Sequence, residues 1–331
     1  MSVRIIGTGS YIPERVLTNQ DLEKMVDTTD EWITTRTGIQ ERHLADPASA
    51  TSDLTVQAAR RALEMAGITP EELDLISVAT VTPDMTFPST ACVLQSKIGA
   101  VNAACYDLVA ACTGLIYSLE VAYSLLKASP AKYRYALVIG GDKLSSIVDY
   151  TDRSTCILFG DGASAVVLKN DPDDPRPDFV ASSKIGANGN YGDLLKIPAG
   201  GSARPATHET VENHEHFIKM AGKEVFKLAV NGMVDSCKTV MQSAGVLPNQ
   251  IAWVIPHQAN KRIISAAAQR LELPLERVYV NIERIGNTSA ASVGICLDEL
   301  NRAGKLQSGD YILTTAFGGG LTWGAMLFRW G

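Results

Sequence analysis

ALEMAGITPEELDLISVAT, residues 62–80, is answered further along the chain by VMQSAGVLPNQIAWVIPHQ, residues 240–258. Both stretches carry Ala-Gly, then a proline three residues on, then an apolar run of strand length. A second pair sits at a similar offset: FGDGASAVV (159–167) and FGGGLTWGA (317–325), each leading into a terminal strand. The period is far too long for a solenoid and describes a duplicated α/β domain folded as two similar halves.

The rest of the chain reads as strands alternating with helices. VRIIGTG (3–9), LDLISVATV (73–81), ACYDL (104–108), YALVIGG (135–141) and SAVVLK (164–169) read as strands. TSDLTVQAARRALEMAG (51–67) reads as a helix with a Thr/Ser N-cap and a C-terminal glycine, and PSTACVLQSKIG (88–99) as another helix. DPDDPRPDF (171–179), with three prolines and four aspartates, is the linker candidate. It divides the chain into halves at 1–170 and 180–331.

Sliding one half onto the other places candidate chemistry. In DLVAACTGLIYSL (107–119), Cys112 opens an apolar helix running to about Lys127. A thiol there meets amide N–H groups and the positive end of the helix dipole, which favour the thiolate. Ala111 and Gly114 leave room for a substrate, and the Cys112 amide is a potential oxyanion donor. The superposition sets Cys112 beside NTSAASVGICLDEL (287–300) and puts His257 just past a strand end, where ligand sites of parallel α/β sheets gather. Asn287 follows a glycine at a strand-to-helix junction, so Cys112, His257 and Asn287 are expected to converge between the halves. The plainer readings are a core thiol, a structural histidine and an N-cap asparagine.

Bulk properties narrow the function. The chain has 331 residues, 46% of them hydrophobic and 20% charged, and a net charge of −6 that gives no sign of nucleic-acid binding. No apolar run approaches a membrane span, and MSVRIIGTGSYIP opens like a strand rather than a signal peptide. Six cysteines without CxxC spacing argue against a disulfide framework or zinc site and for a reducing cytoplasm. Gly7-Thr8-Gly9 starts like a dinucleotide fingerprint but lacks the third glycine. His208, His214 and His216 lie in ATHETVENHEHF, which reads as a solvated loop in preference to a metal site.

DEWITTRTGI (30–39), ACTG (111–114), TDR (151–153), FGDGA (159–163), HQAN (257–260), GNTSAAS (286–292) and FGGGLTWG (317–324) together closely resemble the 3-oxoacyl-(acyl-carrier-protein) synthase III family. The resemblance covers nearly the whole chain. It implies a thiolase-like fold with a layered αβαβα architecture, and the initiating condensation of bacterial fatty-acid synthesis. It also implies Cys112 as acyl-accepting nucleophile, His257 and Asn287 as its partners, and the amides of Cys112 and Gly319 as oxyanion hole. Trp32, Arg36 and Arg153 match the family's coenzyme A contacts, with Asn260 near the pantetheine arm. Lys227, Arg262 and Arg270 match a basic patch for the acyl carrier protein, although Gln269 stands where some relatives have lysine. A homodimer is implied, with FPSTAC (87–92) at its interface and Phe87 reaching toward the partner's acyl pocket, favouring acetyl or similarly short primers. The segment at about 199–216 looks longer than the family's usual version, and its role is open.

The implied reaction joins a short acyl group from acyl-CoA to malonyl-carrier protein through an acyl-cysteine, with no metal or redox cofactor. A degradative thiolase would need a second reactive cysteine near the C-terminus, and a hydroxymethylglutaryl-CoA-type synthase a carboxylate base; neither is visible. A secondary-metabolite condensing enzyme or acyltransferase of the same fold is the main alternative, and a non-catalytic acyl-binding scaffold the alternative of another class.

Overall fold

The computed structural model describes residues 2–331. The first half comprises β1 (Ser2–Tyr11), β2 (Arg15–Thr18), α1 (Asn19–Glu23), α2 (Asp30–Thr37), β3 (Glu41–Leu44), α3 (Thr51–Ala66), β4 (Leu75–Ala79), α4 (Thr90–Ile98), β5 (Ala104–Leu108), α5 (Gly114–Ala128), β6 (Tyr135–Asp142), α6 (Arg153–Cys156) and β7 (Gly162–Asp171). The second comprises β8 (Val180–Ala187), β9 (Leu195–Lys196), α7 (His208–Glu212), β10 (Lys219–Met220), α8 (Gly222–Ala244), β11 (Ile251–Pro256), α9 (Lys261–Arg270), α10 (Ile282–Ile285), α11 (Ala291–Arg302), β12 (Tyr311–Gly318) and β13 (Thr322–Arg329).

The repeat in the sequence is a repeat in topology. The first sheet has the order β1-β7-β6-β4-β5, and the second β8-β13-β12-β11. In both, the two outer pairs on one side are antiparallel and the next pair is parallel. The second half's equivalent of β5 has shrunk to one parallel bridge, Val254 to Val278.

Strand alternation builds the layers. On β6, Ala136 and Val138 point to one core while Tyr135, Leu137 and Ile139 point to another. On β12, Ile312 and Ala316 share the first of these cores, and Leu313 and Phe317 face a third. The shared core holds Leu115, Ile116, Leu119 and Ala122 of α5 with Val293, Leu297 and Leu300 of α11. These two helices are therefore the middle layer between the sheets; α3 and α4 cover one outer face, α8 and α9 the other. This is the αβαβα stack. The middle layer is tight: a Cβ at Gly140 of β6 would stand 2.3 Å from the Ala290 carbonyl oxygen.

Two local expectations change. The α3 N-cap is Ala50, not Thr or Ser. Thr51 lies inside the helix with its hydroxyl on the Thr82 carbonyl, and Asp53 accepts the Ala50 N–H at 2.8 Å instead. Cys112 precedes α5 in a 3₁₀ turn, Ala111–Thr113, with Ala111 at φ 47°.

Candidate active site

Cys112 stands where β5 turns into α5. Thr113 closes that turn by donating its hydroxyl to the Ala110 carbonyl at 2.6 Å, and its oxygen lies 2.8 Å from Thr322 Oγ1 on β13. The β12–β13 connection thereby lies against the cysteine turn. A Cβ at Gly318 would sit 2.7 Å from the Cys112 nitrogen, so glycine there keeps the space before that amide open. Gly319 follows, with its own Cβ position 3.7 Å from Ala111 Cβ. The two stretches expected to supply oxyanion amides thus meet.

His257 follows β11, its N–H on the Thr315 carbonyl at 2.7 Å, and is 1% exposed. Its Nδ1 lies 2.7 Å from Ser292 Oγ on α11. Asn287 is bound into the first half: its N–H donates to the Leu158 carbonyl at 2.9 Å, and its carbonyl accepts the Gly160 N–H at 3.0 Å. Its Oδ1 accepts the Ser289 N–H at 2.9 Å, four residues before α11 begins, so it caps a turn rather than the helix. With Oδ1 engaged, the Asn287 amide nitrogen is the group left to donate to a ligand.

Cys112, His257 and Asn287, distant in sequence, all line one cavity of about 570 Å³. Burial decides its electrostatics. It pushes the Cys112 thiol up to about 12, with the Asp142 charge adding to the effect, while Ser289 and the cysteine's own amide pull it back. Desolvation therefore works against the thiolate that the helix start is expected to favour, at a sulfur that is half-buried on the cavity wall. Burial likewise lowers His257 to about 3, so its imidazole is neutral.

The cavity is also lined by Phe317 and Phe226, and its exposed lining is cationic at the mouth, with Arg36, Lys223 and Arg262. There α2 carries Trp32, whose ring has the Arg36 Cζ at 4.6 Å and the Arg153 Cζ at 5.0 Å from its centroid. Arg153 is also tethered to Asp27, donating to its carbonyl at 2.8 Å. Asn260 caps α9, accepting the Arg262 N–H at 2.8 Å and donating to the Arg36 carbonyl at 3.0 Å, which fastens α9 to α2. Lys227, Arg262 and Arg270 are all exposed on α8 and α9, with Arg270 on Asn231 and Arg262 over Phe226. Phe87 is not in this cavity; it is 83% exposed on the surface. The sequence did not single out Lys223, Gly318, Ser289 or Ser292; the SAAS run that leads from Asn287 into α11 was the one signal for the two serines.

The 199–216 segment folds back on itself through Arg204 and Glu215 and carries α7. His214 bonds Asp149 at 2.8 Å and His216 bonds Thr210 at 2.9 Å. Among the described residues no group of three or more His, Cys, Asp or Glu side chains gathers as a metal site. No described helix is long and apolar enough to cross a membrane.

A duplicated αβαβα stack with Cys, His and Asn on one cavity defines the condensing enzymes of the thiolase fold, a class of acyltransferases. Family models for 3-oxoacyl-(acyl-carrier-protein) synthase III and its C-terminal region match residues 106–189 and 241–330. A beta-ketoacyl-(acyl-carrier-protein) synthase III of Caldanaerobacter subterraneus is 54% identical over 98% of this chain and 97% of its own. The crystal structure of the Aquifex aeolicus enzyme superimposes with a TM-score of 0.90 at 48% identity, covering 99% and 100% of the two chains. A priming beta-ketosynthase of the R1128 polyketide pathway reaches the same TM-score at only 34% identity, covering 99% and 96%. The chain belongs to the 3-oxoacyl-(acyl-carrier-protein) synthase III family. The secondary-metabolite alternative is not favoured: the fold does not separate the two readings, but the sequence similarity does.

Proposed function

We propose that this protein joins a short acyl group, best supplied as acetyl-CoA, to malonyl-carrier protein, releasing CoA and CO₂. The observation that carries this reading is the meeting of Cys112, His257 and Asn287 on one cavity with a cationic mouth. Arg36 and Arg153 take the phosphates of CoA beside the Trp32 ring. The Cys112 sulfur attacks the thioester carbonyl, the oxyanion rests on the amides of Cys112 and Gly319, and the C–S bond to CoA breaks. The proton that leaves Cys112 ends on the CoA sulfur.

Malonyl-carrier protein then enters, its acidic carrier drawn to Lys227, Arg262 and Arg270. Loss of CO₂ leaves the electron pair as a thioester enolate. Neutral His257 and the Asn287 amide both donate to its oxygen; each such donor is worth roughly 3–4 kcal/mol in the transition state. The enolate carbon attacks the acyl-cysteine, and Cys112 departs as thiolate and takes a proton from water. Every step runs on these side chains and two backbone amides.

The active form is a homodimer in the cytoplasm. Exposed apolar side chains at Met85, Phe87 and Val109 (78% exposed), together with the position of β5 at the edge of its sheet, support the assembly.

Intact-mass measurement tests the reading. Wild type incubated with acetyl-CoA gains one acetyl group and loses it to malonyl-carrier protein. Cys112→Ala gains none but keeps some malonyl decarboxylation. His257→Ala and Asn287→Ala are acylated and then stall. A His257→Ala protein that cannot be acylated would overturn this division of labour.

A further inference from the structure

Lys223 is an exposed residue of the cavity lining, and the reaction described above gives it no task. The other two cations of that lining are engaged: Arg36 stands over the Trp32 ring and Arg262 over Phe226. Lys223 has no ion-pair or hydrogen-bond partner among the described residues. A free ammonium at a cavity entrance suits an anion that enters with a substrate.

One face of α8 gives the depth of the cavity behind that entrance. Lys223, Phe226, Ala229 and Met233 all line it, at the spacing of one helix face. Exposure falls along this row, from the open Lys223 through the half-buried Phe226 to Ala229 and Met233, both buried. Beside Met233, a Cβ at Gly232 would lie 3.1 Å from the Phe317 ring. Phe317 precedes Gly318, whose own Cβ position is 2.7 Å from the Cys112 nitrogen. Lys223 and Gly232 are nine residues apart on α8, a rise of about 14 Å. The cysteine turn therefore lies about that far inward of Lys223.

Both substrates of the reaction proposed above carry one common arm, pantetheine, with a phosphate ester at its head and the thioester sulfur at its tip. About thirteen bonds separate phosphorus from sulfur, which at the reach of extended peptide is roughly 15 Å. With the thioester at Cys112, the phosphate comes to the level of Lys223. We propose that Lys223 binds this phosphate and so serves acyl-CoA and malonyl-carrier protein alike. The inference rests on the two-substrate reaction and divides the cations by task. Arg36 and Arg153, beside Trp32, meet the nucleotide that CoA alone has. Lys227 and Arg270, outside the cavity lining, meet the protein that the carrier alone has. Lys223 meets what the two share.

Two measurements on the full-length protein test this. Calorimetry compares the binding of phosphopantetheine and pantetheine, which differ by the phosphate alone and need no catalysis. Wild type should bind phosphopantetheine roughly tenfold more tightly, as for one hydrogen bond between charged groups. Lys223→Gln should lose that preference, and Lys223→Arg should keep most of it. Steady-state kinetics then compares the substrates. Lys223→Gln should raise the Michaelis constants for acetyl-CoA and malonyl-carrier protein by similar factors, with kcat held. A wild type that does not distinguish the two ligands, or a Lys223→Gln protein that still does, overturns the proposal. So does a Michaelis constant raised for one substrate only, which would assign Lys223 to the nucleotide or to the carrier surface. Phosphate-dependent binding by a wild type that transfers no acyl group would count against the reaction and leave this assignment standing.

Discussion

The Ser292 hydroxyl lies 2.7 Å from His257 Nδ1 and also receives the Gln258 N–H at 3.4 Å. With Ser292 donating its hydrogen to Nδ1, the His257 proton sits on Nε2 and the ring is a donor to an enolate oxygen, the tautomer that the proposed reaction requires. Ser292→Ala frees the ring to adopt the other tautomer. Malonyl decarboxylation and condensation should fall roughly ten- to a hundredfold, as for loss of a ring-orienting partner. Acylation of Cys112, measured by mass, should hold. Equal loss in both half-reactions would show that Ser292 only supports the fold.

Acid should act on His257 through stability rather than through a catalytic ionisation. Its native value of about 3 lies below the ordinary 6.5, so between them the unfolded chain binds a proton that the native chain does not. This contribution to stability is complete above about pH 6.5. It shrinks as pH falls, by roughly 1.4 kcal/mol per pH unit, until the native ring also protonates near 3. Urea unfolding at pH 7 and pH 5 should therefore show a smaller acid loss for His257→Gln than for wild type. Malonyl decarboxylation by folded wild type should show no ionisation near pH 6.5; an acid limb there would contradict the buried neutral ring.

Gly318→Ala tests the oxyanion site directly. The added methyl would fall 2.7 Å from the Cys112 nitrogen and 3.2 Å from the Ala110 oxygen. Acylation should drop by roughly 10²–10³, comparable with losing one oxyanion donor. The clash is with backbone, so the cysteine turn must shift to admit the methyl, while far-UV circular dichroism, which reads the helices and strands outside that turn, should stay native. Normal acylation in this variant would place the oxyanion elsewhere.

Arg36→Ala and Arg153→Ala should raise the Michaelis constant for acetyl-CoA and leave that for an acetyl-pantetheine thioester nearly unchanged. Phosphate pairing exists only where there is a phosphate. Each arginine also flanks Trp32. Equal losses on both substrates would mean that their role is to hold that ring.

Phe87→Thr should widen primer tolerance from acetyl toward longer acyl chains, because a surface ring is exchanged for volume in a partner's pocket. A panel of acyl-CoAs of rising length checks this. Wild type that already prefers long chains would refute the assignment.

The central strands β4 and β6 were legible because they are buried on both faces and read as unbroken apolar runs, and ACYDL matches the half-buried edge strand β5 residue for residue. The halves were legible because duplication left the same turn chemistry before β4 and β11. The α3 cap was not, since Thr51 and Ser52 look like caps and the actual cap acts through Asp53. The opposing effect of desolvation on the thiol was not legible: a helix start is visible in sequence, whereas the cavity around Cys112 is lined by residues far along the chain, such as Phe317 and Met233. Ser289 and Ser292 were invisible for the converse reason. A polar residue at a helix start reads as a turn former until the fold shows that it is buried.

Asn287 takes its backbone hydrogen bonds from Leu158 and Gly160, while α5 and α11 fill one core between both sheets. The two halves are therefore like two pages bound at a common spine. A chain cut within 172–179 would leave each fragment with a bare sheet face and only part of the chemistry. Activity could return only when the fragments recombine. Duplication here did not yield two independent modules; it made each copy the missing wall of the other.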